Sequence, residues 1–494
     1  MQKLRHTTAV LPGRLSRFLG GLSRGALIIV GLFAWPGFAR ADENQSAWLV
    51  GAGKLDITPN EGLRLSGYAS RSTPSTGVRD PLHVRALAIT PVRQDESGDS
   101  EAAISQTLVL VSIDSIMVSG EMTGRVAQWL AQEYDIPQNQ LVLSSTHSHA
   151  APHLTGGLTN LFRDAQTQSE IDATRRYTQR VEQAIRDSIK LAIDSRRKSK
   201  LQSSDGEANF AVNRRVLDSE GKWSGFGVQE NAAVDHRVRV LAALDEDNKL
   251  IAAAYMYACH CTTLGGDFNE VSGDWAGLSA SRLEQINPNT VFLPIIGCGA
   301  NANPEPRGDY QDAQRHSAEI VDAVGHALKG PVQIITASPV TQFGYAALPS
   351  LHPSNDEIKS RLTAERSNDR RWAEEMQRLE QEMGRLPESY PMPIHTWNFG
   401  DQLTWVFLGG EVVVEYQFLI EKELGGNVWV AAYCNDVFAY VASDNMLPEG
   451  GYEVDYSMIY YLQPGRWRPG TQALILKRVR EIFDGIATET RPRD

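Results

Sequence analysis

The chain has 494 residues, 42% of them hydrophobic, and a formal net charge of −12 at pH 7. This length is enough for one large domain or two closely packed ones. The negative charge disfavours binding to nucleic acid and electrostatic docking on anionic lipid, because both of those surfaces are themselves negative. Four cysteines, Cys259, Cys261, Cys298 and Cys434, are too few and too scattered for a disulfide scaffold.

The first 41 residues have the composition of a secretory signal peptide. Basic residues precede the apolar stretch ALIIVGLFAW, which is followed by Ala39-Arg40-Ala41. We therefore predict cleavage after Ala41 and a periplasmic or secreted mature domain over 42–494. Loss of a leader with six basic and no acidic residues would change the formal charge from −12 to −18. The apolar stretch is shorter than the about 20 residues that a bilayer span needs, so no integral span is expected after cleavage; an uncleaved anchor is the alternative.

Apolar strands and amphipathic helices alternate along the first two thirds of the chain. The predicted strands span 48–59, 81–90, 107–114, 140–146, 208–216, 236–244, 250–260 and 290–298. Helices are predicted after a Ser119 cap, from about 169 to 194, between the last two strands, and at 310–329. This rhythm is typical of an α/β domain.

The character of the sequence changes beyond residue 340. Residues 356–383 are dense in charge and predict one or two exposed helices, in an insertion at about 354–386; a mobile lid over a site is the alternative. The runs LTWVFLGGEVVVEYQFL and VWVAAYCNDVFAYVAS then predict a return to strands. We find no internal repeat and no low-complexity linker.

Histidines are concentrated in the segment VLSSTHSHAAPH, residues 142–153. If this run is a strand, His147 and His149 point to the same face, which favours a metal site. His260 ends another apolar run, in ACHCTTLG, and Glu411 follows a third, in WVFLGGE. Imidazole and carboxylate groups are the ligands that zinc prefers in catalytic sites. His153 ends this segment, and no role in the site is assigned to it.

Each of these residues also has a structural interpretation. A single histidine at a strand end is more often hydrogen-bonded than metal-bound, and a single glutamate near a turn is usually solvated. Strand alternation turns Cys259 and Cys261 away from the face that His260 uses, so they are interpreted as buried small residues. Composition and spacing alone therefore lead only to a candidate metal site.

Ten segments taken together resemble a known family. They are GAGKLDITP, GYASR, DPLHVRALAI, LVLSSTHSHAAPH, FAVNRR, VDHRVRVL, YACHCTTLG with SGDWAG, GCGANANP, GGEVVVEY and NDVFAYVASDN with GGYEV. In this order, from about Trp48 to about Tyr460, they resemble the blocks of the neutral ceramidases. The resemblance implies a mixed β-sheet core flanked by helices. It also implies a zinc ion that activates a water to hydrolyse the amide of an N-acyl sphingoid lipid.

The resemblance also assigns roles to individual residues. His147, His260, Glu411 and Tyr440 match the zinc ligands of the family. His149, Arg214 and Tyr452 match groups that contact the substrate or the developing oxyanion. Asp235 and Asp274 are interpreted as carboxylates that orient the imidazole N–H groups.

One block departs from the family pattern. Ceramidases have Gly-Asp-x-Ser-Pro where this chain has Ala300-Asn301-Ala302-Asn303-Pro304. Asn303 has no hydroxyl, so a mechanism that needs the serine is excluded, but its amide could orient a carbonyl. The sequence ends at 494, so we expect the catalytic domain without the immunoglobulin-like C-terminal domain of the family.

The sequence thus predicts a secreted, zinc-dependent hydrolase that cleaves an amide, with an N-acyl sphingoid lipid as one candidate substrate. A zinc hydrolase or lyase acting on a glycan or a small polar conjugate is the first alternative. A non-catalytic secreted binding protein on the same scaffold is the second. A second ion such as Ca²⁺ or Mg²⁺ is left open, as is the oligomeric state.

Overall fold

The computed structural model describes residues 48–94, 100–102 and 104–485. The signal peptide predicted over residues 1–41 lies outside these residues. The described part of the chain forms two β-sheets, eight α-helices and several two-stranded pairs.

A ten-stranded mixed sheet forms the first part of the fold. Its strands are β1 Trp48–Asp56, β2 His83–Gln94, β3 Ser100–Ala102, β4 Leu108–Ile113, β5 Leu141–Ser145, β6 Arg197–Glu207, β7 Arg237–Asp245, β8 Leu250–Tyr257, β9 Val291–Ile296 and β10 Gln333–Ile335. The order is β9-β8-β7-β6-β1-β2-β4-β5, with β3 paired to β2 and β10 to β6. The central neighbours are antiparallel, whereas β4/β5 and β8/β9 at the two ends are parallel.

Helices cover the sheet and make its crossovers. They are α1 Gly120–Tyr134, α2 Gln168–Asp194, α3 Asp274–Ile286, α4 Tyr310–Ala327, α5 Asn355–Leu362, α6 Ser367–Met383, α7 Glu415–Leu424 and α8 Thr471–Phe483. Parallel strands need a long crossover, and α1 joins β4 to β5 as α3 joins β8 to β9. The predicted cap of α1 is confirmed, since Ser119 accepts a hydrogen bond from the Met122 N–H. The predicted stripe of α2 is buried from Tyr177 to Ile193.

A second, four-stranded sheet follows. Its strands, in spatial order, are β11 Val340–Pro349, β12 Ser389–Asn398, β13 Thr404–Leu408 and β14 Val428–Ala431, and β13/β14 are parallel. The prediction of strand for 403–419 is wrong over its last residues, because α7 begins at Glu415. Tyr416 and Ile420 are buried on one face of that helix, and so short an apolar run does not distinguish a strand from a buried helix.

The charged stretch folds as the two helices α5 and α6. Many of their side chains are exposed, but Trp372 and Met376 of α6 pack with Ile358 of α5 and with Ile459 in a small hydrophobic cluster. The Trp372 indole N–H donates to the Gln463 carbonyl over 2.8 Å. These helices are therefore fastened to the segment that follows residue 451.

The carboxyl ends of the parallel pairs β4/β5, β8/β9 and β13/β14 meet at one place. The chain leaving β14 runs between two of them, where Ala432 N–H donates to Ile296 O over 3.0 Å and Asn435 N–H donates to Leu143 O over 2.7 Å. Side chains from loops after all three pairs are thereby brought together, which is where open α/β sheets place their sites. None of the helices in the described ranges combines the length and apolar character that crossing a bilayer requires.

Candidate metal centre and catalytic pocket

His147 and His260 both lie just beyond the ends of their strands. β5 ends at Ser145 and β8 at Tyr257. His147 has φ of +56°, which breaks the strand alternation that the sequence analysis assumed. The premise of a shared strand face is therefore wrong, although the histidines do meet. A hydrogen bond from His149 N–H to Cys261 O, at 3.1 Å, ties the two loops together.

Five side chains converge on one buried point. The ring nitrogens of His147, His149 and His260 lie within 4.8 Å of one another, and His147 Nε2 is 3.2 Å from His149 Nε2. Glu411 Oε2 lies 3.1 Å from His147 Nε2 and 3.2 Å from His260 Nε2. Tyr440 Oη is 3.2 Å from His260 Nε2. The four predicted ligands are thus together, and His149 is beside them.

The hydrogen bonds of the imidazoles leave their Nε2 lone pairs facing the carboxylate. His147 Nδ1 donates to Ile116 O over 2.6 Å, and His260 Nδ1 donates to Gly299 O over 2.9 Å. Burial lowers the pKa of His260 to about 4, so this ring is neutral at pH 7.

The donor set fits a metal cation. Glu411 Oε2 is buried and has no hydrogen-bond partner, although two imidazole nitrogens lie about 3 Å away. Acceptors that face one another without a proton between them repel, and an unpaired buried charge is costly. A cation removes both penalties. Tetrahedral zinc ligands at about 2.0–2.2 Å are separated by roughly 3.3 Å, close to the spacings seen here.

Tyr440 is placed by strand pairing. The short strand Glu411–Val412 pairs in parallel with Tyr440–Val441, so that Glu411 and Tyr440 are direct neighbours. Burial, reinforced by Glu411, raises the pKa of Tyr440 well above its usual value, and the phenol oxygen lies 3.2 Å from His260 Nε2. Arg214 Nη2 donates to the Tyr440 oxygen over 3.2 Å.

The structure corrects the prediction that Asp235 and Asp274 orient the imidazoles. Asp235 forms an ion pair with Arg237 at 2.7 Å, and Asp274 accepts from the main-chain N–H groups of Leu264 and Trp275. Main-chain carbonyls take the place that carboxylates were expected to fill. A main-chain carbonyl accepts the imidazole N–H and fixes the tautomer, as a carboxylate would.

His149 forms the wall between the metal-binding group and a cavity. Gly67 lies against it: a Cβ at that position would come within 2.3 Å of His149 Nδ1, and its φ of +85° also favours glycine. Tyr68 packs edge-on against the ring at 5.0 Å. Burial, then the neighbouring histidines, hold the pKa of His149 well below its usual value, so it is a neutral acceptor at pH 7.

Arg214 organises the opposite wall. Its guanidinium donates to Glu453 over 2.8 Å, to Asn303 Oδ1 over 3.2 Å and to Tyr440. Burial alone would lower the pKa of Arg214, but Tyr440 and Glu453 more than offset this and raise that pKa above its usual value. The guanidinium therefore stays charged. Thr262 Oγ1 also donates to Asn303 Oδ1, at 3.2 Å. Two donors fix the amide orientation, and its NH₂ group takes no part in these contacts.

Tyr452 completes this wall at the start of a short π-helical turn, Tyr452–Tyr456. Its ring packs edge-on against Tyr440 at 5.5 Å and against Phe226 at 5.1 Å. Burial raises the pKa of its phenol, which is therefore a proton donor at neutral pH.

Two contributors were missed by the sequence analysis. Tyr461 Oη donates to Glu411 Oε1 and so orients the carboxylate, and Glu453 anchors Arg214. Tyr461 lies in YSMIYYLQPGRW, where no spacing or motif singles it out. Glu453 stands next to Tyr452 in GGYEV, but only the folded structure shows that it pairs with Arg214.

Three other candidates lie outside the centre. His153 Nδ1 lies 3.2 Å from Ser66 Oγ, and His153 is not in the group that could bind the metal. Cys259 and Cys261 are free and buried, which confirms their interpretation as small buried residues.

A cavity of about 300 Å³ opens onto the centre. The residues predicted to contact substrate all line it, together with one predicted ligand: His149, Arg214, Asn303, Tyr452 and Tyr440. A substrate in this cavity would touch both walls and the metal-binding group, as a catalytic site requires.

Comparison with known proteins agrees with this geometry. Residues 48–323, more than half of the chain, match the family described as neutral/alkaline non-lysosomal ceramidase, N-terminal. The chain belongs to this ceramidase family. The resemblance seen in the sequence is thereby confirmed.

Two curated relatives are ceramidases of Dictyostelium discoideum. Neutral ceramidase B is 25% identical over 281 residues, which are 53% of this chain and 36% of that protein. Neutral ceramidase A is 26% identical over 263 residues, which are 51% of this chain and 34% of that protein. The matches therefore span about a third of the length of these ceramidases.

Solved ceramidase structures share the fold. The neutral ceramidase from Pseudomonas aeruginosa superposes with a TM-score of 0.66, and a ceramidase complexed with C2 with a TM-score of 0.67. Each is 16% identical, and the match covers 91% of this chain and 77% of the solved chain. The predicted fold class, a mixed-sheet α/β fold of the ceramidase type, is confirmed.

Proposed function

We propose that this chain is a secreted zinc-dependent hydrolase that cleaves an amide bond. The observation that carries the proposal is the buried Glu411 oxygen that faces two imidazole lone pairs and has no hydrogen-bond partner. Secretion is supported by the leader-like composition of residues 1–41.

His147 Nε2, His260 Nε2, Glu411 Oε2 and Tyr440 Oη would hold the zinc. When bound, zinc supplies a Lewis acid that lowers the pKa of water from about 15.7 to about 7. Tyr461 and the carbonyls of Ile116 and Gly299 keep the ligands oriented.

The remaining residues act on the water and the amide. His149 is neutral and borders the cavity, so it accepts the proton of the attacking water and returns it to the leaving nitrogen. The amide of Asn303, the phenol of Tyr452 and the guanidinium of Arg214 donate to the oxygen of the tetrahedral intermediate. Such donors are typically worth about 3 kcal/mol each.

The named relatives are neutral ceramidases, which makes an N-acyl sphingoid lipid one candidate substrate. The volume of the cavity lies at the lower end of the range for ligand pockets, about 300 to 1,000 Å³, and this supports a small polar conjugate as the second candidate. A purely structural metal would be enclosed by protein, whereas here a cavity reaches the centre, which argues against the non-catalytic alternative.

Hydrolysis assays on a panel of N-acyl lipids, N-acetylated sugars and N-acyl amino acids test the proposal. Wild type is expected to cleave at least one amide, and His147→Ala to lose at least about 10³-fold in kcat/KM. His326→Ala removes an exposed histidine of α4 and is the matched control. Full activity in His147→Ala would contradict the proposal.

A further inference from the structure

The wall of the cavity is cationic in a chain that is acidic as a whole. Three arginines line the cavity, Arg163, Arg214 and Arg307, and no carboxylate is among its described lining residues. Glu453 pairs with Arg214, so that charge is compensated. The formal charge of the chain is −12, so two further arginines at one opening give it a charge opposite to that of the chain as a whole.

Arg307 is held in position without an ion pair among the described residues. Its Nη2 donates to Tyr68 Oη over 3.1 Å, and Tyr68 Oη in turn donates to Leu264 O over 3.1 Å. The adjacent Gly308 N–H donates to Thr263 O over 2.9 Å, which fixes the backbone. A guanidinium has five N–H donors and Tyr68 uses one, so most of them remain for a ligand.

Arg163 lies close to Tyr68, the residue that contacts Arg307. Its main-chain N–H donates to the carbonyl of Ala69, the neighbour of Tyr68, over 3.3 Å. Its side chain is exposed and forms no ion pair with any residue that the structure describes. Phe226, Leu161 and Tyr460 supply an apolar surface in the same cavity.

We propose that the substrate is an acyl amide that carries an anionic group beside the scissile bond, of which an N-acyl amino acid is the simplest case. Arg307 binds the anion through paired N–H groups, and Arg163 adds attraction at the opening. The acyl chain packs on the apolar surface. This inference rests on the proposed function, and it deepens that function by naming the substrate class.

The reaction balances with water alone. The carbonyl carbon gains a bond to the water oxygen and loses its bond to nitrogen. One water proton passes to the leaving amine. The products are a fatty acid and a free amino acid.

Two matched substrate pairs test the inference. N-octanoyl-serine and N-octanoyl-serinol differ by a carboxylate, and N-octanoyl-O-phosphoethanolamine and N-octanoylethanolamine differ by a phosphate. We expect wild type to favour the anionic member at least about tenfold in kcat/KM, a preference that weakens with salt. The pair with the larger preference identifies the anion.

Variants locate the effect. Arg307→Gln is expected to reduce the ratio of anionic to neutral kcat/KM at least about tenfold, and Arg163→Gln by less. Arg307→Lys keeps the charge and should retain part of the ratio. Arg175→Gln, on the exposed surface of α2, is the control. Because the ratio compares two substrates on one preparation, partial misfolding does not change it.

The outcomes separate the two proposals. Hydrolysis with no anionic preference, or a ratio unchanged in Arg307→Gln, would overturn the anion site and leave the hydrolase intact. If no compound is cleaved, calorimetry decides: tighter binding of N-octanoyl-serine than of N-octanoyl-serinol, lost in Arg307→Gln, supports the anion site while the proposed function fails. Equal binding overturns the anion site as well.

Discussion

At the scale of single residues, Asn303 stands where the ceramidase pattern has a serine, and it tests the proposed mechanism without a hydroxyl at that position. Its oxygen accepts from Arg214 and Thr262, so its NH₂ group is free to donate to a carbonyl. Asn303→Asp keeps the two accepted bonds and replaces the donor by a negative oxygen. We expect kcat to fall by about 10²- to 10³-fold with the zinc content unchanged.

Steady-state kinetics with metal analysis on the same preparations would measure this. Asn289→Asp makes the same change in an exposed turn and is the control. A kcat equal to that of wild type in Asn303→Asp would remove Asn303 from the reaction.

The candidate ligand residues could be singled out in the sequence, but their hydrogen bonds could not. His147, His260, Glu411 and Tyr440 each stand in a block with a recognisable pattern. The groups that orient them are main-chain carbonyls, at Ile116 and Gly299, and every residue has a carbonyl. Only the fold decides which carbonyl is near, so the sequence suggested Asp235 and Asp274 instead.

At the scale of elements, the charged helices α5 and α6 behave as a packed part of the fold and not as a free lid. Trp372 is buried among Ile358, Met376 and Ile459, and it donates to the Gln463 carbonyl. Trp372→Ala should lower the free energy of unfolding by about 3 to 5 kcal/mol, because it leaves a cavity and an unpaired carbonyl.

Urea unfolding compares this variant with Trp372→Phe, which keeps most of the ring volume and should lose less. A mobile lid predicts the opposite result, namely little change in stability for Trp372→Ala. Rapid hydrogen exchange throughout α6 in wild type would also favour the lid.

Strands and helices were largely predictable because their apolar patterns repeat over many residues. The α2 stripe and the strands around it follow the expected spacing. The errors fall at ends and in short runs: β5 and β8 stop before their histidines, and α7 replaces the end of a predicted strand. The backbone turn at His147, with φ of +56°, has no signature in a sequence.

At the scale of the whole molecule, buried histidines outside the pocket make stability depend on pH. Asn435 Oδ1 accepts from Leu143 N–H, so its NH₂ group must donate to His395 Nδ1. His395 Nε2–H donates to Gln138 O, and burial lowers the pKa of His395 to about 3. Protonation of His395 Nδ1 would place its N–H against the NH₂ group of Asn435, so that two donors would face each other.

The sign of the pH effect follows. A free histidine has a pKa of about 6.5. Below that pH, His395 binds a proton in the unfolded chain but stays neutral in the folded protein. Stability is therefore lost as pH falls from about 6.5 toward 3, by about 2 kcal/mol at pH 5 from this residue.

Urea unfolding at pH 7.5 and pH 5 measures the loss. His395→Asn should be less stable at pH 7.5 but show a shallower pH slope, whereas His352→Asn, at an exposed histidine, should leave the slope unchanged. An identical slope in His395→Asn and wild type would show that His395 is not the source.

The most direct test of the account is the zinc content of the purified protein and of Glu411→Gln, measured by elemental analysis alongside amide hydrolysis. Wild type should carry one zinc per chain, and Glu411→Gln should lose most of the metal and the activity, because a neutral amide replaces the carboxylate between His147 and His260. A wild-type protein that hydrolyses amides while carrying no metal, or a Glu411→Gln variant with full zinc and full activity, would contradict the account.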